Sequence, residues 1–448
     1  MTRTQSKIAW KSKRPGRVLP IAFFFLFFLC MGMPCRAYSV LTHEEIVDLL
    51  WQDQIQPLLK KRFPASTEED LRKAHAYAYG GCVIQDMGYY PFGSRYFSDL
   101  VHYVRSGDFV VNLMQESSDL NEYAFALGAL SHYAADNSGH PTINRVVAIE
   151  FPKLAKKYGA QVRYADDPKS HIRTEFGFDM VQVAKNRYTS DRYHDFIGFS
   201  VSKDLLDRAF FITYSLRLND VFDDTDLAIG TFRRAISTVI PQMTRVALLA
   251  RRQEIVADTP NFNKKKFLYY LSRRGYEKEW GTTYRKPGAG TRILAFFLRL
   301  VPKVGPFNAL SFKIPTTRAE DMCIKSVDLT VEDYGKLLRE TRGDKLQVPN
   351  KDFDTGKDTR AGEYQLTDKA YERLLDQLAK KNFDHLTPQL QEDILEFYAD
   401  LNAPIWTKHS KKAWTQTLAE IEKLRAAPAS PIEPVKTSET AGPGPVMH

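Results

Sequence analysis

The stretch SHYAADNSGHP, residues 131–141, sets His132, Asp136 and His140 at steps of four in a segment rich in Ala and Leu. In an α-helix, positions four apart advance by about 40°, so three such side chains share one face and can converge on one place. His171 and Glu175 repeat the step in HIRTEFGF. On an isolated helix such pairs are ordinarily solvated. Two helices that each gather imidazole and carboxylate on one face demand a helical fold in which those faces serve a common centre.

Counting along the chain, the candidate ligands are His43, Asp86, His102, His132, Asp136, His140, His171 and Glu175. Imidazoles and carboxylates without thiolates suit a zinc enzyme better than a structural, cysteine-rich zinc site. Asp86 sits in GCVIQDMGYYPFGS, a loop punctuated by Gly and Pro that also delivers Tyr89, Tyr90 and Phe92. These three aromatics are candidates to wall a ligand pocket or to face a quaternary ammonium, against the alternative of core packing. The other histidines read differently. His75 lies in an aromatic helix where it packs or hydrogen-bonds, and His194, His385, His409 and His448 have polar neighbours.

The rest of the pattern predicts a mainly α protein. Thr42 and Glu45 form a capping box for a helix ending near Pro57. Helices follow over 68–79, stopped by Gly80 and Gly81, over 99–114 with His102, and over 120–137. Further helices fit 170–187, 195–218 and 225–256, the last kinked at Pro241. Residues 259–315 turn basic and aromatic, and Leu294, Phe297, Leu298 and Val301 between Arg292 and Arg299 fit either a lipid surface or a helix packed on the preceding domain. Residues 342–362 read as a polar loop or insertion, 366–425 as helix, and the remainder as a Pro-rich tail.

The formal charge of +9 would suggest a nucleic-acid partner, but residues 1–37 carry seven basic residues and no acid, which leaves +2 for the rest. That segment has the layout of a signal peptide: a basic start, the apolar run VLPIAFFFLFFLCMGM, and small residues Cys35 and Ala37 before a cut. Export with cleavage after Ala37 follows, to the periplasm or beyond, with no nucleic-acid partner expected. An uncleaved anchor is the alternative. Cys82 and Cys323 then remain, either bridged or as two buried thiols. The expected division is 1–37 signal peptide, 38–258 catalytic domain, 259–425 C-terminal helical region with a membrane-surface or packing role, and 426–448 tail.

Taken in order, YSVLTHEEI, QDMGYYP, VHYV, ALGALSHYAADNSGHP and HIRTE resemble the zinc-dependent phospholipase C family, in particular the branch similar to phospholipases D that cut glycosylphosphatidylinositol anchors. The likeness covers roughly residues 38–180. It implies a multi-helix domain of the phospholipase C and single-strand nuclease type, with a mostly helical C-terminal extension. It also implies up to three zinc ions: one on Asp86, His102, His132 and Asp136, a second on His140, His171 and Glu175, and a third on His43, Asp136 and the amino group and carbonyl of the mature N-terminal residue. Cleavage after Ala37 makes that residue Tyr38, five positions before His43. Tyr replaces the Trp of the related fungal nucleases, but the ligands there are main-chain atoms.

The implied reaction is attack of a zinc-bound hydroxide on a phospholipid phosphodiester, with Asp86 either a ligand only or a ligand that also steers or accepts the proton of the attacking water. The Asp136-to-His140 spacing resembles the anchor-cleaving branch, and Glu175 favours the phospholipases over the nucleases. A single-strand nuclease is the alternative among enzymes. A membrane-surface binding protein that zinc merely braces is the alternative outside them.

Overall fold

The computed structural model describes residues 39–184, 198–240, 312–342, 346 and 348–431. The apolar leader, Tyr38, His194, Pro241, the 259–311 stretch, His448 and most of the Pro-rich tail lie outside the described residues.

Helix α1 (Val40–Leu50) runs through a π turn (Trp51–Ile55) into α2 (Gln56–Arg62). Then come α3 (Glu68–Cys82), a 3-10 turn (Ile84–Tyr89), α4 (Arg95–Tyr103), α5 (Ser106–Gln115), α6 (Leu120–Glu150), α7 (Pro152–Tyr158) and α8 (Pro168–Ala184). After the gap follow α9 (Lys203–Tyr214), α10 (Leu218–Val221) and α11 (Thr225–Arg234). The C-terminal part holds α12 (Thr317–Thr341), α13 (Gln365–Lys380), α14 (Pro388–Phe397) and α15 (Lys411–Ala426). Its only described strands are a two-residue hairpin, β1 (Lys351–Asp352) antiparallel to β2 (Lys357–Asp358). The mainly α expectation holds.

Helix α6 is the axis. Ala124, Phe125, Ala126, Leu127, Ala129 and Leu130 are all fully buried, so the helix is apolar on every side over this stretch and must be surrounded. Helix α3 packs along it through reciprocal glycines: a Cβ on Gly81 would lie 1.9 Å from the Phe125 carbonyl, and one on Gly128 2.1 Å from the Ala78 carbonyl. Only Gly allows so close an approach. On another side α12 lies against α6, with the Tyr334 hydroxyl donating to the Leu127 carbonyl at 2.8 Å. Helix α13 reaches α4, where the Arg373 guanidinium covers the Tyr96 ring at 4.0 Å.

Several boundaries differ from the sequence reading. The N-cap of α1 is Ser39, and Thr42, inside the first turn, donates to Asp179 instead of capping. Gly80 and Gly81 lie within α3, kept there by close packing rather than ending it. The 99–114 segment divides at Arg105, whose left-handed φ of 49° breaks α4 from α5. Helix α6 continues through Pro141 to Glu150. The 195–218 segment ends its long helix at Tyr214, where Ser215 adopts φ 55°. Residues 348–362, read as a polar loop, are folded against α6: the Asn144 amide donates to the Asp354 carbonyl at 3.0 Å.

The α3–α6 seam gives a direct test. Gly128→Ala should cost about 1–3 kcal/mol through overpacking. Gly230→Ala, where an added Cβ meets nothing within 4 Å, should leave stability equal or slightly higher. Denaturant melts of both variants measure the contrast.

Candidate metal centre

Each candidate side chain arrives on a separately anchored element. The first turn of α1 hangs from Asp179 on α8: the Leu41 amide donates to Oδ2 at 3.2 Å and Thr42 Oγ1 to Oδ1 at 2.6 Å. Burial pushes the Asp179 carboxyl up to about 7, against the opposing hydrogen bonds of Ser39, Thr42 and Leu41. This clamp places His43. Asp86 sits on the 3-10 turn, which Gln85 pins to α6 by donating to the Ala129 carbonyl at 3.0 Å. The Ser98 hydroxyl donates to the Gln85 carbonyl and accepts from the Gly88 amide, tying the turn to α4.

Three imidazoles are oriented through the nitrogen that faces away from the centre. His102 Nδ1 donates to the Ser98 carbonyl at 2.8 Å, His132 Nδ1 to the Cys82 carbonyl at 2.9 Å, and His171 Nε2 to the Val162 carbonyl at 2.6 Å. A carbonyl can only accept, so each of these nitrogens carries a proton, and the opposite nitrogen is the one turned inward, where its lone pair would be available to a cation. That is how metal-binding histidines are normally held.

Asp136 is the hub. Its Oδ1 lies 3.5 Å from His43 Nε2, and its Oδ2 lies 3.5 Å from His102 Nε2, 3.2 Å from His132 Nε2 and 3.5 Å from His140 Nε2. Asp86 Oδ1 is 3.5 Å from His102 Nε2, and His171 Nδ1 is 3.5 Å from Glu175 Oε1. Two triads have ligand atoms mutually within 4.8 Å: His43, His132 and Asp136, and Asp86, His102 and His132. All of these side chains except Asp86, which is 3 % exposed, are at most 1 % exposed. The structure thus gathers six of the eight predicted side-chain ligands, Asp136 included, into one cluster, and sets His171 and Glu175 as an adjoining pair whose Glu175 interacts electrostatically with His140 and Asp136.

The site is also suited to cations chemically. His102 Nε2, His132 Nε2, His171 Nδ1, both Asp136 oxygens and both Glu175 oxygens are buried without a hydrogen-bond partner. A native interior rarely leaves so many polar atoms together unsatisfied. A coordinating cation would satisfy lone pairs of both kinds at once, so the donor set fits zinc.

The electrostatics without a cation are strained. Burial, reinforced by neighbouring His132, lowers His43 to about 3. At His132 burial again opposes charge, but Asp136 outweighs it and lifts the imidazole to about 9. Burial works to raise Asp136, yet the imidazoles hold it well below the usual carboxylate range. Glu175 is raised, chiefly by burial.

Of the predicted aromatics, Tyr89 stands edge-on to His102 with ring centroids 6.0 Å apart. Tyr90 instead packs edge-on to Phe232 at 4.9 Å in the core, and Phe92 is 40 % exposed with φ 61°. His75 stacks on Trp51 and bonds Asp48 at 2.8 Å, while His385 and His409 are exposed. Cys82 and Cys323 are free, buried thiols. Reasoning from sequence missed Asp354, whose Oδ1 lies 3.3 Å from His140 Nε2, and Phe353, whose ring packs on His102 and His132. The available signal was a lone aromatic between two acids in DFDTG.

The described residues form a helical fold enclosing a buried cluster of imidazoles and carboxylates that could hold a metal ion. The model of the zinc dependent phospholipase C family matches residues 42–224, and this part of the chain belongs to that family. Comparison with curated proteins and with solved structures finds no match.

Because Asp136 lifts the His132 imidazole to about 9 when no cation is bound, zinc would displace a proton on binding. Lowering the pH from about 8 to about 6 should therefore weaken zinc binding, by up to about tenfold per unit. Titration calorimetry in buffers of different ionisation heat should find proton release on binding. Binding without proton release would contradict the assignment.

Proposed function

We propose that the chain is an exported zinc-dependent phospholipase C that hydrolyses a phospholipid phosphodiester. The observation carrying this reading is the ring of four histidines around the buried Asp136, joined to a segment of matching family. His43, Asp86, His102, His132, Asp136, His140, His171 and Glu175 would hold the ions. Zinc would supply Lewis acidity, lowering the pKa of a water and neutralising charge on the phosphoryl oxygens.

The protein's own groups do the rest. The carbonyls of Ser98, Cys82 and Val162 keep three imidazoles in one tautomer, so no reorientation is needed during reaction. Asp86, which is not wholly enclosed, orients the attacking water and takes its proton. Tyr89, beside His102, bounds the position of the lipid head group. Removal of the leader after Ala37 would free the amine of Tyr38, which precedes in sequence the turn that Asp179 fastens, and that amine would serve as a ligand for a third ion.

Incubation with phosphatidylcholine vesicles should release phosphocholine and diacylglycerol, and chelator should abolish turnover until zinc is restored. His132→Ala should lower kcat by a factor of about 1,000 or more while the protein still folds with reduced metal. Turnover that persists in chelator would contradict the proposal. Degradation of single-stranded DNA without lipid cleavage would contradict the substrate class.

A further inference from the structure

We propose that Asp354 is an additional metal ligand, sharing an ion with His140 through Oδ1 and delivered by a hairpin that lies outside residues 42–224. This rests on the metal-centre reading above and extends it to a residue beyond the family segment.

Among the buried or part-buried imidazole–carboxylate pairs of the described residues, distance separates the candidate ligand pairs from the hydrogen-bonded one; His385 and Asp384, also 3.3 Å apart, are exposed and stand outside the comparison. His75 Nε2 and Asp48 Oδ1 stand 2.8 Å apart, as a charge-assisted hydrogen bond should. Around Asp136 and between His171 and Glu175 the imidazole–carboxylate separations are 3.2 to 3.5 Å. Two ligands bound tetrahedrally to zinc at about 2.0–2.2 Å are about 3.3–3.5 Å from each other. His140 Nε2 and Asp354 Oδ1, at 3.3 Å, belong with the second group.

The surroundings of Asp354 are built to aim one oxygen. Oδ2 accepts from the Tyr103 hydroxyl at 2.8 Å and the Tyr364 hydroxyl at 2.5 Å, which turns Oδ1 toward His140. The residue is fully buried. Its backbone is held as well: Asn144 donates to the Asp354 carbonyl, and the Phe353 amide donates to the His102 carbonyl at 3.3 Å. Gly356, at φ 68°, lets the hairpin lie on α6, since a Cβ there would be 2.5 Å from the Asn137 carbonyl. Phe353 covers the rings of His102, His132 and Tyr133. The hairpin therefore seals one side of the cage with an aromatic ring and adds a carboxylate to it.

The test compares wild-type protein with Asp354→Asn after zinc loading and gel filtration. Elemental analysis should find about one zinc fewer per chain in the variant, and the cobalt-substituted forms should differ in their visible d–d bands. Equal zinc content with identical bands in a folded variant would overturn the proposal. Should the variant not fold, anomalous diffraction from the zinc-loaded wild type decides. Asp354 Oδ1 at about 2.0–2.2 Å from an ion supports it. Zinc at Asp136 with Asp354 uncoordinated overturns this inference alone, whereas wild-type protein that takes up no zinc overturns the metal centre itself.

Discussion

A carboxylate with no exposed surface, ringed by four imidazoles, is the constraint on which the structure depends. Taking such a group out of water costs several kcal/mol unless opposite charge and good geometry compensate. Asp136 can be compensated only if α1, α4 and both ends of its own helical face are brought to it. Hence α6 is long, apolar and central, and its neighbours approach through glycine.

The same arrangement explains why a cation belongs there. Without one, His132 is driven toward protonation while stacked His43, 4.5 Å away between ring centroids, is driven from it. One carboxylate cannot neutralise two adjacent imidazolium rings. A divalent ion replaces protons with coordination and satisfies lone pairs on all of them. The imidazole orientations that uptake needs are already held by backbone carbonyls, so little reorganisation would accompany it.

What was legible in the chain was local. The steps of four from His132 to His140 and from His171 to Glu175 depend only on helical period, and both pairs share a face as that period requires. The mainly α character followed from the same periodicity. What was not legible depended on contacts between distant segments. Thr42 resembled a cap because its real partner, Asp179, lies far along the chain. Gly80 and Gly81 resembled a stop because the helix they admit was unknown, and the helix expected over 120–137 runs on through Pro141 to Glu150. Tyr90 and Phe92 adjoin Tyr89 in sequence, yet one faces the core and the other the surface. Asp354 sat in a polar stretch that reads as loop until tertiary structure presses it against α6.

The atoms that would touch the ion are imidazole nitrogens and carboxylate oxygens, so X-ray absorption at the zinc edge of the purified wild-type protein is the most direct test. The account predicts a nitrogen and oxygen shell at about 2.0–2.2 Å with outer scattering from imidazole rings. A sulfur shell at about 2.3 Å, which only a thiolate such as Cys82 or Cys323 would give, would contradict it. So would the absence of zinc.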